Sequence, residues 1–305
     1  DNTVACASCH VQSEAFGDPN MASIGINGTT PRHSMRLVNN RFANGNAFFW
    51  DKRAATLEAQ TTQPIQDHIE MGFSGENGDL SFSDLLSKLE NIPYYPVLFS
   101  NAFGTETISE DRIQQALAQF VRSIQSFDSK YDEGRSLTAN NNQPFPNFSA
   151  LENTGKQLFN QPPVFNNTGM RINGGVGCAG CHQAPEFDID PNSRNNGVIG
   201  TISGTETNLT NTRAPSLRDV VKQNGDTNGG FMHNGAFVEL IDVINHYNVI
   251  DGTGNNNLDP RLRPGGNPQQ LNMTPNEKNA LVAFMETLSG ADLYTNSKWS
   301  NPFID

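Results

Sequence analysis

The sequence predicts a mainly α fold with long loops and little β, arranged as two domains. Three observations carry this expectation. Apolar residues recur every three or four positions in several segments, and strand signals are scarce. Two Cys-x-x-Cys-His units stand far apart in a chain of 305 residues, which is longer than one hydrophobic core usually serves.

Taken in order, the first unit is Cys6-Ala7-Ser8-Cys9-His10. Helical spacing follows over Phe82 to Leu89 and over Ile108 to Phe127, the latter opened by Ser109-Glu110-Asp111 as cap and acidic first turn. A polar, turn-rich stretch, Ser136 to Pro144, has little to bury and sets the predicted boundary between residues 1–142 and 143–305. Ala150 to Phe159 is again helical and leads by a loop to the second unit, Cys178-Ala179-Gly180-Cys181-His182. Val238 to Tyr247 reads as a further helix. Thr274-Pro275-Asn276-Glu277 is a capping box with Pro at the first helical position, ahead of an apolar run from Ala280 to Leu288 that stops at Gly290.

Composition excludes some functions. The net charge is -12, and no Lys/Arg stripe exists to follow phosphates, so nucleic acid is not an expected partner. An acidic face suits a basic protein partner such as a small cytochrome. No apolar run has the length of a membrane span, and the first residues lack the pattern of a signal peptide, so the chain reads as soluble and already processed.

All four cysteines belong to the two units. A His directly after the second Cys is the signature of covalent haem attachment: the thiols add to the vinyl groups of one porphyrin, and the imidazole becomes the proximal iron ligand. The plainer reading is a pair of disulfides or a shared zinc. Two haems held by Cys6, Cys9, His10 and by Cys178, Cys181, His182 are the expectation, and such attachment points to the periplasm.

Further blocks surround these units. In the first half they are Phe49-Trp50-Asp51-Lys52-Arg53, Thr56 to Gln60, Gln63-Pro64-Ile65 and Glu70-Met71-Gly72. In the second they are Thr212 to Arg218, Phe231 to Gly235 and His246-Tyr247-Asn248. With them the chain resembles the bacterial dihaem cytochrome c peroxidases and the related MauG-type enzymes over almost its whole length. The resemblance implies two cytochrome c-like domains, each around one covalently bound haem, the first reacting with peroxide and the second relaying electrons. It also implies a calcium ion between the domains and, in some members, a homodimer.

Carried over residue by residue, the resemblance makes Trp50 an aromatic relay between the haems, where the plainer reading is a core Trp. Glu70 becomes the acid–base group that moves a proton between the peroxide oxygens, and Gln60 a neutral hydrogen-bonding partner of those oxygens. The segment from Ser23 to Pro31 has no His where classical dihaem peroxidases carry a distal ligand, which implies an open first iron. His33 is then open to three readings: an iron ligand, a pocket-lining group, or a hydrogen-bonding group at the domain interface. If it occupies the place of the family's calcium-binding Asn, calcium is in doubt, because calcium takes oxygen ligands. Tyr247 falls at the sixth-ligand position of the second haem, as in MauG-type enzymes, with Met273 and His246 as alternatives. His233 reads as a hydrogen-bonding residue and His68 as solvated. Met21, Met35, Met71 and Met232 read as packing residues.

Three functions compete: reduction of hydrogen peroxide to water with electrons from a small cytochrome or cupredoxin; MauG-like, peroxide-dependent oxidation of a protein or other large substrate; and non-enzymatic electron carriage.

Overall fold

A computed structural model describes residues 3–43, 47–188 and 192–303. The fold is mainly helical with little sheet. Its helices are α1 (Cys6–Cys9), α2 (Leu57–Thr61), α3 (Gln63–Gln66), α4 (Phe82–Glu90), α5 (Tyr94–Phe103), α6 (Glu110–Ser123), α7 (Lys130–Ser136), α8 (Ala150–Asn160), α9 (Leu240–Asn248) and α10 (Pro275–Glu286). Two antiparallel hairpins complete it. β1 (Ile24–Gly25) pairs with β2 (Gly28–Thr29), Ile24 opposite Thr29; β3 (Pro163–Phe165) pairs with β4 (Arg171–Gly174), Pro163 opposite Gly174.

The long helices begin where short polar side chains can accept from otherwise unpaired backbone N–H groups. Ser81, Ser129, Ser149 and Thr274 each form a full capping box. α6 is shorter than the predicted Ile108 to Phe127. It starts after Ser109, whose hydroxyl accepts from Arg112 N, and stops at Ile124, where extended backbone turns that side chain fully into the core. α5 is not among the predicted helices, because Pro96 obscures it. Proline is tolerated in a first turn, where its missing N–H has no helical partner to lose, and Gly104 closes the helix in left-handed backbone.

The largest core cluster lies in the second half, where Phe159 of α8, Phe187 and Phe284 of α10 are fully buried and stack edge to face. Gly155 permits this crossing, since a Cβ there would lie 1.8 Å from the Ala280 carbonyl oxygen. Tyr131, Phe145 and Phe148 join the same cluster, while Thr138 to Pro144 stays at the surface. In the first half, Leu57 of α2 packs on Ala118 and Val121 of α6, and the Glu58–Arg122 ion pair and the Gln66–Glu110 hydrogen bond of 2.7 Å tie α2 and α3 to α6. Leu293 and Trp299, near the far end of the chain, pack against Ala15 and Phe16.

Candidate active site

Each Cys-x-x-Cys-His unit opens a cavity, and the two cavities share a wall. The larger, about 570 Å³, is lined by Cys178, Cys181, His182 and Tyr247. The smaller, about 130 Å³, is lined by Cys9, His10, Gln60, Pro64 and Glu70. His33, Ser34, Met35, Arg36, Trp50 and Arg213 face both.

The histidines of the two units, His10 and His182, are held alike. His10 Nδ1 lies 3.0 Å from the Phe16 carbonyl, and His182 Nδ1 lies 3.0 Å from the Phe187 carbonyl. Both phenylalanines have left-handed backbone, φ 56° and 52°, which turns each carbonyl back toward the imidazole. A ring that donates through Nδ1 keeps its Nε2 lone pair, as an iron ligand requires, and burial lowers both imidazole pKa values, His182 to about 4. No disulfide joins the four cysteines, and burial pushes the Cys178 thiol up to about 12. Among the described residues no group of three or more His, Cys, Asp and Glu converges as a metal site would. The oriented imidazoles fit haem attachment, with Cys178, Cys181 and His182 lining the larger cavity and Cys9 and His10 the smaller.

Gln60 and Glu70 reach the smaller cavity from different elements. Gln60 sits on α2, whose N-cap Thr56 Oγ1 accepts from Ala59 N at 3.0 Å. Glu70 lies in the turn after α3, where Asp67 Oδ1 accepts its N–H at 3.0 Å, and the β1–β2 hairpin closes over it, with Ile26 N donating to the Glu70 carbonyl at 3.0 Å. Burial, then the neighbouring Asp67 carboxylate, raises the Glu70 pKa, and Arg53 opposes them. Arg53, which also lines this cavity, stacks 3.6 Å above the Phe49 ring and pairs with Asp51, which in turn holds Arg32 at 2.7 Å.

Trp50 is the buried partition. Its Nε1 donates to the His33 carbonyl at 2.7 Å, and its own carbonyl accepts from Arg213 N at 2.8 Å, so both halves of the chain fix the ring. His33 is buried, with Nδ1 3.1 Å from the Asn20 and Met21 carbonyls and Nε2 without a partner among the described residues. Residue 33 thus offers a ring nitrogen, not the oxygen that calcium takes.

Tyr247, on α9, lines the larger cavity with His182; among the described residues neither Met273 nor His246 does. Met273 is buried in the core, and His246 Nε2 lies 3.0 Å from the Asn196 carbonyl, on another face of the helix. Burial raises the Tyr247 phenol pKa, with an Asn196 hydrogen bond opposing. His233 Nε2 lies 3.1 Å from the Gly200 carbonyl. His68 is not merely solvated, since Asp79 holds its Nδ1 at 2.9 Å. Met21 is half exposed rather than packed in the core, whereas Met232 is buried in the wall of the larger cavity and accepts from Asn196 Nδ2 at 3.3 Å. Arg36 and Arg53 line the cavities without having been predicted there, because an arginine in a loop carries no periodicity that separates a cavity wall from solvent.

A family model described as di-haem cytochrome c peroxidase matches residues 1–140. The chain is 28% identical over 298 residues to the methylamine utilization protein MauG of Methylophilus methylotrophus, covering 95% of this chain and 78% of that protein. It is 26% identical over 328 residues to cytochrome-c peroxidase IdrP1 of Denitromonas iodatirespirans, covering 95% and 77%. Among solved structures, a MauG-like protein associated with microbial copper homeostasis superposes with a TM-score of 0.69 at 26% identity, covering 98% of this chain and 87% of that one.

Proposed function

Because this chain belongs to the bacterial di-haem cytochrome c peroxidase and MauG family, we propose that it reduces hydrogen peroxide to water in its first half, using electrons that enter through its second half from a small redox protein such as a cytochrome c or cupredoxin. The observation that carries this reading is Glu70, its pKa raised by burial, in the same cavity as Gln60 and His10. Residues 1–142 and 143–305 are read as the two cytochrome c-like domains, and the periplasm as the compartment. Among the described residues no helix is long and apolar enough to cross a membrane.

Cys6, Cys9 and His10 would hold one haem, and Cys178, Cys181, His182 and Tyr247 the other. When bound, the haems supply one-electron chemistry: a store in the second half, and delivery of two electrons to peroxide in the first. Overall, hydrogen peroxide takes up two electrons and two protons and gives two waters. Glu70 accepts the proton of the near peroxide oxygen and returns it to the departing one, which leaves as water rather than hydroxide. The Gln60 amide hydrogen-bonds the peroxide oxygens without adding charge. Trp50, buried between the cavities, is the aromatic path from one half to the other. Steady-state peroxide consumption with a reduced cytochrome tests this reading, and absence of turnover in a protein carrying two haems would refute it.

Tyr247 favours a second reading, MauG-like oxidation of a protein or other large substrate with peroxide as oxidant. A phenolate ligand stabilises oxidised iron, which suits a site that shares oxidising equivalents. A long-lived near-infrared charge-resonance band after peroxide would support this reading, and its absence would count against it. Non-enzymatic electron carriage gives way, since the relatives are named as peroxidases and as MauG.

A further inference from the structure

Resting on the two-haem reading, we infer that Arg36 and Arg213 form an anion clamp in the wall between the cavities, which takes the propionate carboxylates of the haems and places protein-borne positive charge between them.

Both side chains face both cavities. In each, Nε is buried with no hydrogen-bond partner among the described residues. Arg213 has part of its fork engaged, Nη2 reaching the two Asp188 oxygens at 2.8 and 3.1 Å. Arg36 has no ion pair among the described residues. Tyr294 and Asp219 act on it only at a distance; Asp219 Oδ1 accepts from Gly290 N at 2.9 Å and from the Tyr294 hydroxyl at 3.2 Å, and its Oδ2 has no hydrogen-bond partner among the described residues. Burial accordingly lowers the Arg36 pKa to about 10, still far above neutrality.

The neighbouring Arg218 shows what a completed site looks like in this fold. Its guanidinium is fully buried and spends its donors on Asp132 and the Pro185 carbonyl. A buried guanidinium without such partners calls for an anion, and its planar fork fits a carboxylate with two parallel hydrogen bonds. Haem brings two carboxylates of its own, on flexible arms, and needs no additional ligand to supply them.

Positive charge beside the propionates favours the reduced state of either haem. The test compares the unaltered protein with Arg36→Gln and Arg36→Lys. Haem content by pyridine haemochromogen comes first, and fewer than two haems in the unaltered protein would defeat the two-haem reading itself. Spectroelectrochemical titration at fixed ionic strength then reads the clamp. Arg36→Gln should lower both midpoint potentials, and Arg36→Lys should return them most of the way. Potentials unchanged in Arg36→Gln, or lowered equally in Arg36→Lys, would overturn the clamp. If Arg36→Gln fails to mature, the propionate bending modes in the resonance Raman spectrum of Arg36→Lys decide: a shift supports the contact and identity with the unaltered protein refutes it.

Discussion

Replacing Gly25 with Ala is expected to impair catalysis without touching any catalytic side chain. Gly25 lies on β1, at the point where the hairpin crosses the segment that carries Glu70. A Cβ there would stand 2.0 Å from the Ile69 carbonyl oxygen and 2.8 Å from Glu70 Cα, whereas ordinary contact begins at 3.4 Å. The obstacle is backbone and cannot rotate aside. Hairpin and Glu70 segment must therefore separate by about 1.4 Å, straining the Ile26 N to Glu70 carbonyl and Asn27 N to Ile69 carbonyl hydrogen bonds. A misplacement of about 1 Å in a catalytic group can cost on the order of a hundredfold in rate. The assay is kcat/KM for peroxide with a reduced cytochrome, alongside haem content and the optical spectrum of the resting protein. A drop of about a hundredfold with both haems in place is expected. Unchanged turnover in a correctly loaded Gly25→Ala protein would refute the assignment of Glu70 to the reacting centre.

Other expected outcomes are more direct. Glu70→Gln keeps the shape and removes the titrating group, so kcat/KM should fall by roughly a hundred- to ten-thousandfold. In its proposed role as base Glu70 works deprotonated, and its raised pKa should move the acid limb of the pH profile above that of an ordinary glutamate. Asp67→Asn removes one raising influence and should move that limb to lower pH, whereas an unmoved limb would assign it to another group. Tyr247→Phe should alter the electron paramagnetic resonance signal of one haem only, while Met273→Leu should leave both unchanged; the opposite pattern would exchange the ligand assignment. Asp132→Asn leaves the buried Arg218 guanidinium without its counter-charge, and denaturant unfolding should show a loss of about 3 kcal/mol. A loss below about 1 kcal/mol would mean that the pair behaves as a surface one.

Local chemistry made much of this molecule legible. The capping box at Thr274, the periodicity of Ala150 to Phe159 and the two Cys-x-x-Cys-His units act over a few residues, and each appears in the structure where the sequence put it. α5 escaped because Pro96 is read as a breaker unless its place in the first turn is known, and α6 was over-extended because Ile124 continues the apolar pattern after the backbone has turned away. Among Tyr247, His246 and Met273 the resemblance put Tyr247 first from sequence, and of the three, among the described residues, Tyr247 alone lines the larger cavity.

The sequence by itself determined the number of Cys-x-x-Cys-His units, the helical class and the family resemblance, because these depend on residues adjacent in the chain or in a recurring order. The resemblance grouped Glu70 with Gln60, and the tertiary structure decided which further groups share a cavity. Gln60 from α2 and Glu70 from the turn after α3 meet beside His10, and Arg36 meets Arg213 across most of the chain length, because helix packing and the backbone contacts around Trp50 bring together residues whose separation in sequence carries no record of their distance in space.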